Sequence, residues 1–319
     1  MSRDWLEHHQ IALYFAAVIF AAIVGVTSSG FAGLMTLAIT PAIAVLMYAM
    51  FLQIPFLELR RAFANRRFVG ALLVANFVLV PLLVWLLTLP LSANKALLAG
   101  ALLVLLTPCI DYVVVFTHLG KGDSRLVLDA TPLLLLLQLL LLPAYLKVML
   151  GAQAGAVIDI WPFAEAFLLL IVVPLVLAIA TELGAKSSST VRGWSAGWAW
   201  LPVPAIAAVL VAVVGSQIGA VVRQIGALTP LLPVYGAFLV LAPALGAFSA
   251  RLFRLDAPAA RAVAFSASTR NSLVVLPLAL ALPDPIRGLA AAAVITQTLV
   301  ELVGELIYLR AIPALVRKN

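Results

Sequence analysis

Apolar residues run through this chain in long unbroken stretches and not in alternation. From Leu133 to Leu146 the sequence reads LLLLLQLLLLPAYL. A lipid-facing barrel strand alternates apolar and polar residues, so these stretches predict helices. A helix needs about 20 apolar residues to cross a bilayer. That ruler finds ten segments: 11–27, 34–54, 68–88, 94–119, 126–146, 163–182, 196–215, 230–250, 262–282 and 288–309. The seventh is the least regular, because Trp198, Trp200, Pro202 and Pro204 crowd its start. The expected fold class is an all-α polytopic membrane protein with ten transmembrane helices.

Charge supports the count. Basic residues collect in cytoplasmic loops. With the N-terminus inside, fifteen of the twenty Lys and Arg fall in inside segments, and Lys95, Lys147, Arg223 and Arg287 fall outside. A miscount by one helix would scramble that alternation. Both termini are therefore expected in the cytoplasm. Ten divides into five and five, and the sixth helix starts on the face opposite the first. Residues 1–150 and 151–319 are expected to form two inverted five-helix repeats, a plan common among secondary transporters.

Composition changes the picture only by exclusion. The chain is 65% hydrophobic and 10% charged, against roughly 25% charged in soluble domains. The net charge of +7 is explained by loop topology, so no nucleic acid partner is expected. A single cysteine, Cys109, excludes an internal disulfide and a CxxC metal site, and neither a metal nor a cofactor is expected. The opening MSRDWLEHHQ carries acids beside its arginine, which reads as a cytoplasmic stub and not as a secretion signal.

Ionisable residues at membrane depth are expensive and mark function. Two segments carry them. The fourth contains Thr107-Pro108-Cys109-Ile110-Asp111, and the ninth contains Ser266-Ala267-Ser268-Thr269-Arg270-Asn271-Ser272. Asp111 lies ten residues before Lys121, and Arg270 lies nine after Arg261. At about 1.5 Å per residue both sit ~14–15 Å deep, near the middle of a ~30 Å core. Pro108 removes a backbone donor and clashes with the preceding turn. The hydroxyl residues around Arg270 compete for backbone groups. Both helices are expected to break at one depth and to present helix-end dipoles to a substrate.

Other polar residues are weaker candidates. Asp129 and Thr131 lie just inside the fifth span. Asn76 and Gln138 suit interhelical hydrogen bonds. Gln297, Glu301 and Glu305 share one helix face at i, i+4 and i+8. Glu305 is expected to be solvated near the cytoplasmic end, and Glu301 to lie deeper and to be able to carry a proton. Gly120-Lys121-Gly122-Asp123 spells the G-x-G-D of membrane aspartyl proteases, a remote alternative that lacks a second deep acid in the right place.

Thr107 to Asp123 (TPCIDYVVVFTHLGKGD) and Ser266 to Leu280 (SASTRNSLVVLPLAL) resemble the bile acid/sodium symporter superfamily, and within it the arsenical-resistance permease branch. The resemblance implies a mobile panel domain from helices 1, 2, 6 and 7. It implies a core domain from helices 3–5 and 8–10, with helices four and nine unwound and crossing at the substrate site. It implies a transport role for a proline-adjacent cysteine in helix four, which Cys109 matches. In the ninth helix the branch's Asn-Asn-Phe-Glu pattern becomes Arg270-Asn271-Ser272-Leu273. The sodium ligands of the coupled members align with Val113-Val114, Ser266 and Arg270-Asn271, so most of them are lost here.

The expected function is secondary transport by alternating access, sodium-independent and proton-coupled, exporting arsenite or a related small oxyanion. An organic-anion transporter is the alternative. Cys109, Asp111, Ser268, Thr269, Arg270 and Asn271 are the candidate substrate-binding residues, and Asp111, Asp129 and Glu301 are the candidate coupling residues. No catalytic activity is expected. The partners are the substrate, the bilayer and a proton or sodium ion, with a homodimer left open. A bacterial inner membrane is the expected home.

Overall fold

A computed structural model describes residues 3–54, 65–110, 112–151, 161, 165, 167–223 and 225–317. Among them the regular elements are helices, apart from one isolated β-bridge. Besides a single turn at Ile225–Leu228 they are, in chain order, α1 (Arg3–Thr27), α2 (Ser29–Phe51), α3 (Arg66–Leu91), α4 (Lys95–Leu105), α5 (Tyr112–Leu119), α6 (Ser124–Leu150), α7 (Leu168–Ser187), α8 (Ser189–Trp198), α9 (Pro202–Arg223), α10 (Leu231–Leu252), α11 (Ala257–Ser268), α12 (Ser272–Leu280) and α13 (Asp284–Leu315). Seven helices among the described residues are long and apolar enough to cross a membrane. Large apolar side chains such as Leu37, Leu140, Val148 and Val240 stand on the surface, as a lipid solvent requires. The fourth and ninth sequence segments are each divided, into α4 and α5 and into α11 and α12.

The helices gather into two compact units, each built from two separate stretches of chain. One holds α1, α2, α7, α8 and α9. Here α9 packs against α1 and α2, and α7 against α2 and α8. Gly25 of α1 lies against Gly215 of α9, and a Cβ at Gly25 would run into the Gly215 carbonyl. The expected span 196–215 is corrected in this unit. Residues 189–198 form the separate short helix α8, which buries no side chain, and the long helix runs from Pro202 to Arg223. Pro202 and Pro204 suit a first turn, where the missing N–H would have no helical partner anyway. Trp194 Nε1 of α8 donates to Tyr48 Oη, which lies 2.9 Å from Thr181 Oγ1. Such amphipathic rings suit the headgroup region.

The other unit holds α3–α6 and α10–α13. In it α4 packs closely on α13: a Cβ on Gly100 would lie 2.5 Å from the Ala290 carbonyl oxygen and 2.7 Å from Ala293 Cβ. Small residues let membrane helices pack backbone to backbone. Gly100→Leu is expected to cost about 1–3 kcal/mol through overpacking, read as a lower melting temperature of the purified protein. An unchanged melting curve would show that α4 and α13 can move apart.

α3 contains a π-helical turn at Ala75–Leu79. Pro81 has no N–H for the carbonyl four residues back, at Phe77, and Tyr145 Oη of α6 donates to that carbonyl at 2.7 Å. The wide turn carries Asn76, which is fully buried.

Candidate functional site

Thr107 and Pro108 end α4. The residue before a proline is pushed out of the α region, and the Thr107 hydroxyl folds back to the Leu103 and Val104 carbonyls at 3.1 and 3.2 Å. α11 ends alike: Ser268 Oγ donates to Ala264 and Phe265 carbonyls, and the Thr269 hydroxyl lies 2.7 Å from the Phe265 carbonyl. The two freed segments then pair with each other. Cys109 N–H donates to the Thr269 carbonyl at 3.0 Å and Asn271 N–H to the Thr107 carbonyl at 2.8 Å. This makes an antiparallel bridge between Pro108 and Arg270. Backbone groups in an apolar interior must find partners in the protein, and the crossing supplies them.

The remaining groups of Arg270 are met by side chains from other helices. Tyr112 Oη lies 3.0 Å from the Arg270 carbonyl, and Arg270 N–H donates to Glu301 Oε2 at 2.9 Å. The one Tyr112 hydroxyl proton goes to the nearer Glu301 Oε1, and Gln297 Nε2 donates to Glu301 Oε2. Four residues along α13, Glu305 meets Thr269 Oγ1 at 2.6 Å.

The Arg270 side chain is fully buried. Its Nη2 donates to Asn76 Oδ1 at 2.9 Å and to the Ser266 carbonyl at 2.6 Å. Its Nη1 reaches the Leu105 carbonyl at 3.5 Å. The guanidinium lies over the Phe238 ring, 5.6 Å from its centroid, within cation–π range. Among the described residues, then, the cation sits among three neutral oxygens, and its Nε lacks a partner. Asn76 holds its place by donating to Ser266 Oγ at 3.0 Å and to the Leu72 carbonyl at 3.1 Å.

Asn271 caps α12, its Oδ1 accepting from Val274 N–H at 3.3 Å. Its Nδ2 and the neighbouring Ser272 hydroxyl are buried without hydrogen-bond partners among the described residues. Both stand at a helix N-terminus, whose dipole favours anions.

The structure thus gathers Cys109, Ser268, Thr269, Arg270, Asn271 and Glu301 at one crossing. Asp111 lies outside the described residues. Asp129 is half-buried on the second turn of α6 and joins none of the crossing's hydrogen bonds. Asn76 makes the expected bonds between helices, to Ser266 Oγ and to the guanidinium. Two expectations are corrected. Glu305 is not solvated: it is fully buried, because the break in the ninth segment brings Thr269 against α13. Gln138 is buried, yet its amide has no partner among the described residues. Asp123 of the G-x-G-D sequence caps α6 by accepting from Arg125 and Leu126 N–H, which is helix-end chemistry. Tyr112 and Ser272 are site residues that the pattern of the sequence did not single out; a tyrosine four residues after Pro108 was the available signal for the first.

An all-helical, multi-pass membrane protein with its buried charge gathered at two broken helices is what these residues build. The chain belongs to the sodium bile acid symporter family, whose model matches residues 40–227. It is therefore a membrane transporter of that type. The matched stretch includes the α4–α5 break. A comparison with curated proteins finds no match.

Proposed function

We propose that this protein is a sodium-independent, proton-coupled secondary transporter that exports arsenite or a related small oxyanion by alternating access. In this reading ten helices form two inverted repeats in a bacterial inner membrane, with both termini cytoplasmic. The unit of α1, α2 and α7–α9 acts as the moving panel and the other unit as the core.

The observation that carries the reading is the occupied oxygen cage. Sodium binds several hard oxygens at once. Asn76 Oδ1 and the Ser266 and Leu105 carbonyls converge as such ligands would, and the guanidinium of Arg270 takes the place between them. A tethered cation supplies the charge that a sodium ion would otherwise bring. Proton coupling is supported by Glu301, a coupling candidate that lies at the crossing. Cys109 at the same crossing favours a soft, thiophilic solute.

A second reading, an organic anion, draws on the unpartnered Asn271 Nδ2 and Ser272 hydroxyl at the α12 N-terminus. The test is arsenite accumulation in everted vesicles energised by a proton gradient without sodium, comparing wild type with Cys109→Ser. Proton-dependent uptake lost in the variant is the expected result. No uptake by folded wild type moves the substrate to an organic anion.

A further inference from the structure

Among the described residues, Glu305 is the buried carboxyl to which the proposed transport gives no task. Its surroundings define its protonation state by hydrogen-bond geometry. The Thr269 hydroxyl oxygen lies 2.7 Å from the Phe265 carbonyl and 2.6 Å from Glu305 Oε1. A hydroxyl has one proton to donate. Two oxygens this close with no proton between them repel. The hydroxyl can serve the Phe265 carbonyl, and the second contact then needs a proton from Glu305 itself.

The other oxygen of Glu305 gives the same answer. Oε2 is buried and has no hydrogen-bond partner among the described residues. An ionised carboxylate would leave that oxygen's charge bare in an apolar interior, which is prohibitive. Glu301 differs, because two N–H donors, from Arg270 and Gln297, meet its Oε2 while Tyr112 meets its Oε1. Among the described residues the buried charged groups at the crossing are Arg270, Glu301 and Glu305.

The titratable groups around Glu305 leave no other donor for Oε2. Tyr308, on its own helix, donates to the Leu239 carbonyl. Tyr235 of α10 donates to the Ala293 carbonyl. Lys95 of α4, His118 of α5, Arg251 of α10 and Arg261 of α11 stand toward their helix ends, and α12 has no titratable side chain.

We infer that Glu305 is a proton-binding site that holds its proton as a neutral carboxylic acid in the state seen here, with Glu301 as the charged partner of Arg270. The inference rests on the proton-coupled reading for its role in transport, where Glu305 releases the proton to water once its contact with Thr269 opens.

The test is infrared spectroscopy of the full-length protein in lipid vesicles at neutral pH, in water and in D₂O. Wild type and Glu301→Gln are expected to show the carbonyl stretch of a buried protonated carboxylic acid, and Glu305→Gln to lose that band. A band of full size in Glu305→Gln overturns the inference. Stability provides a second check, since an amide mimics a neutral acid and not a carboxylate. Glu305→Gln is expected to melt with wild type, and a large loss of thermal stability overturns the inference as well. Neither readout needs transport, so absent proton-driven uptake with the band lost in Glu305→Gln overturns the coupling and leaves the proton on Glu305.

Discussion

Arg270→Ala is expected to abolish transport and to make the protein's stability depend on sodium. Removing one partner of a buried charge cluster costs about 3–5 kcal/mol. Here it removes the cation whose charge offsets Glu301, although the backbone N–H at position 270 still serves that carboxylate, and it leaves Asn76 Oδ1 and the Ser266 carbonyl without their donor. The oxygens that held the guanidinium then stand around a space a small cation can enter. Ligand linkage at a hundred-fold excess over Kd is worth about 2.7 kcal/mol, enough to recover much of the loss. Melting curves of detergent-solubilised protein in sodium and in choline check this. Sodium is expected to raise the melting temperature of Arg270→Ala and to leave wild type unmoved. Equal stabilisation of wild type by sodium would mean that the ion binds beside the arginine, and the tethered-cation reading would fail.

The second large effect is expected at Glu301. Its carboxylate accepts from Tyr112 Oη, from Arg270 N–H and from Gln297 Nε2. Glu301→Ala leaves the two N–H donors buried and unpaired, at about 1–3 kcal/mol each, and removes the nearest counter-charge of Arg270. Tyr112 keeps the Arg270 carbonyl as its acceptor. The sum approaches the whole stability of an ordinary domain, so Glu301→Ala is expected to be largely lost from membranes. Glu301→Gln keeps an acceptor oxygen and is expected to accumulate with a smaller drop in melting temperature. Fluorescence-detected size exclusion of tagged protein separates the two. An alanine variant that runs and melts like wild type would show that the crossing holds without α13.

Much of the site was legible in the order of residues. Thr107-Pro108 in an apolar run announces a helix that must stop at membrane depth, because proline cannot donate and constrains its neighbour. Arg270 among small hydroxyl residues marks a second stop at matching depth. The seventh segment misled, because tryptophans and prolines satisfy a hydropathy ruler whether they lie in a span or at its edge. Glu305 misled for a different reason. Its count of residues from the helix end suggested water, yet burial of a side chain depends on what packs against it.

That the chain is helical and lipid-embedded, and where two of its helices stop, follows from the order of residues, since backbone satisfaction in an apolar solvent is a local demand. What becomes of the groups those stops release is set by packing between distant segments. Asn76, Tyr112, Ser266 and Glu301 are far apart in sequence, and their meeting around Arg270 depends on the π turn in α3 and on the packing of α13 beside the crossing. A hydrogen bond binds atoms within about 3 Å, and no local pattern encodes which distant side chain will be that close.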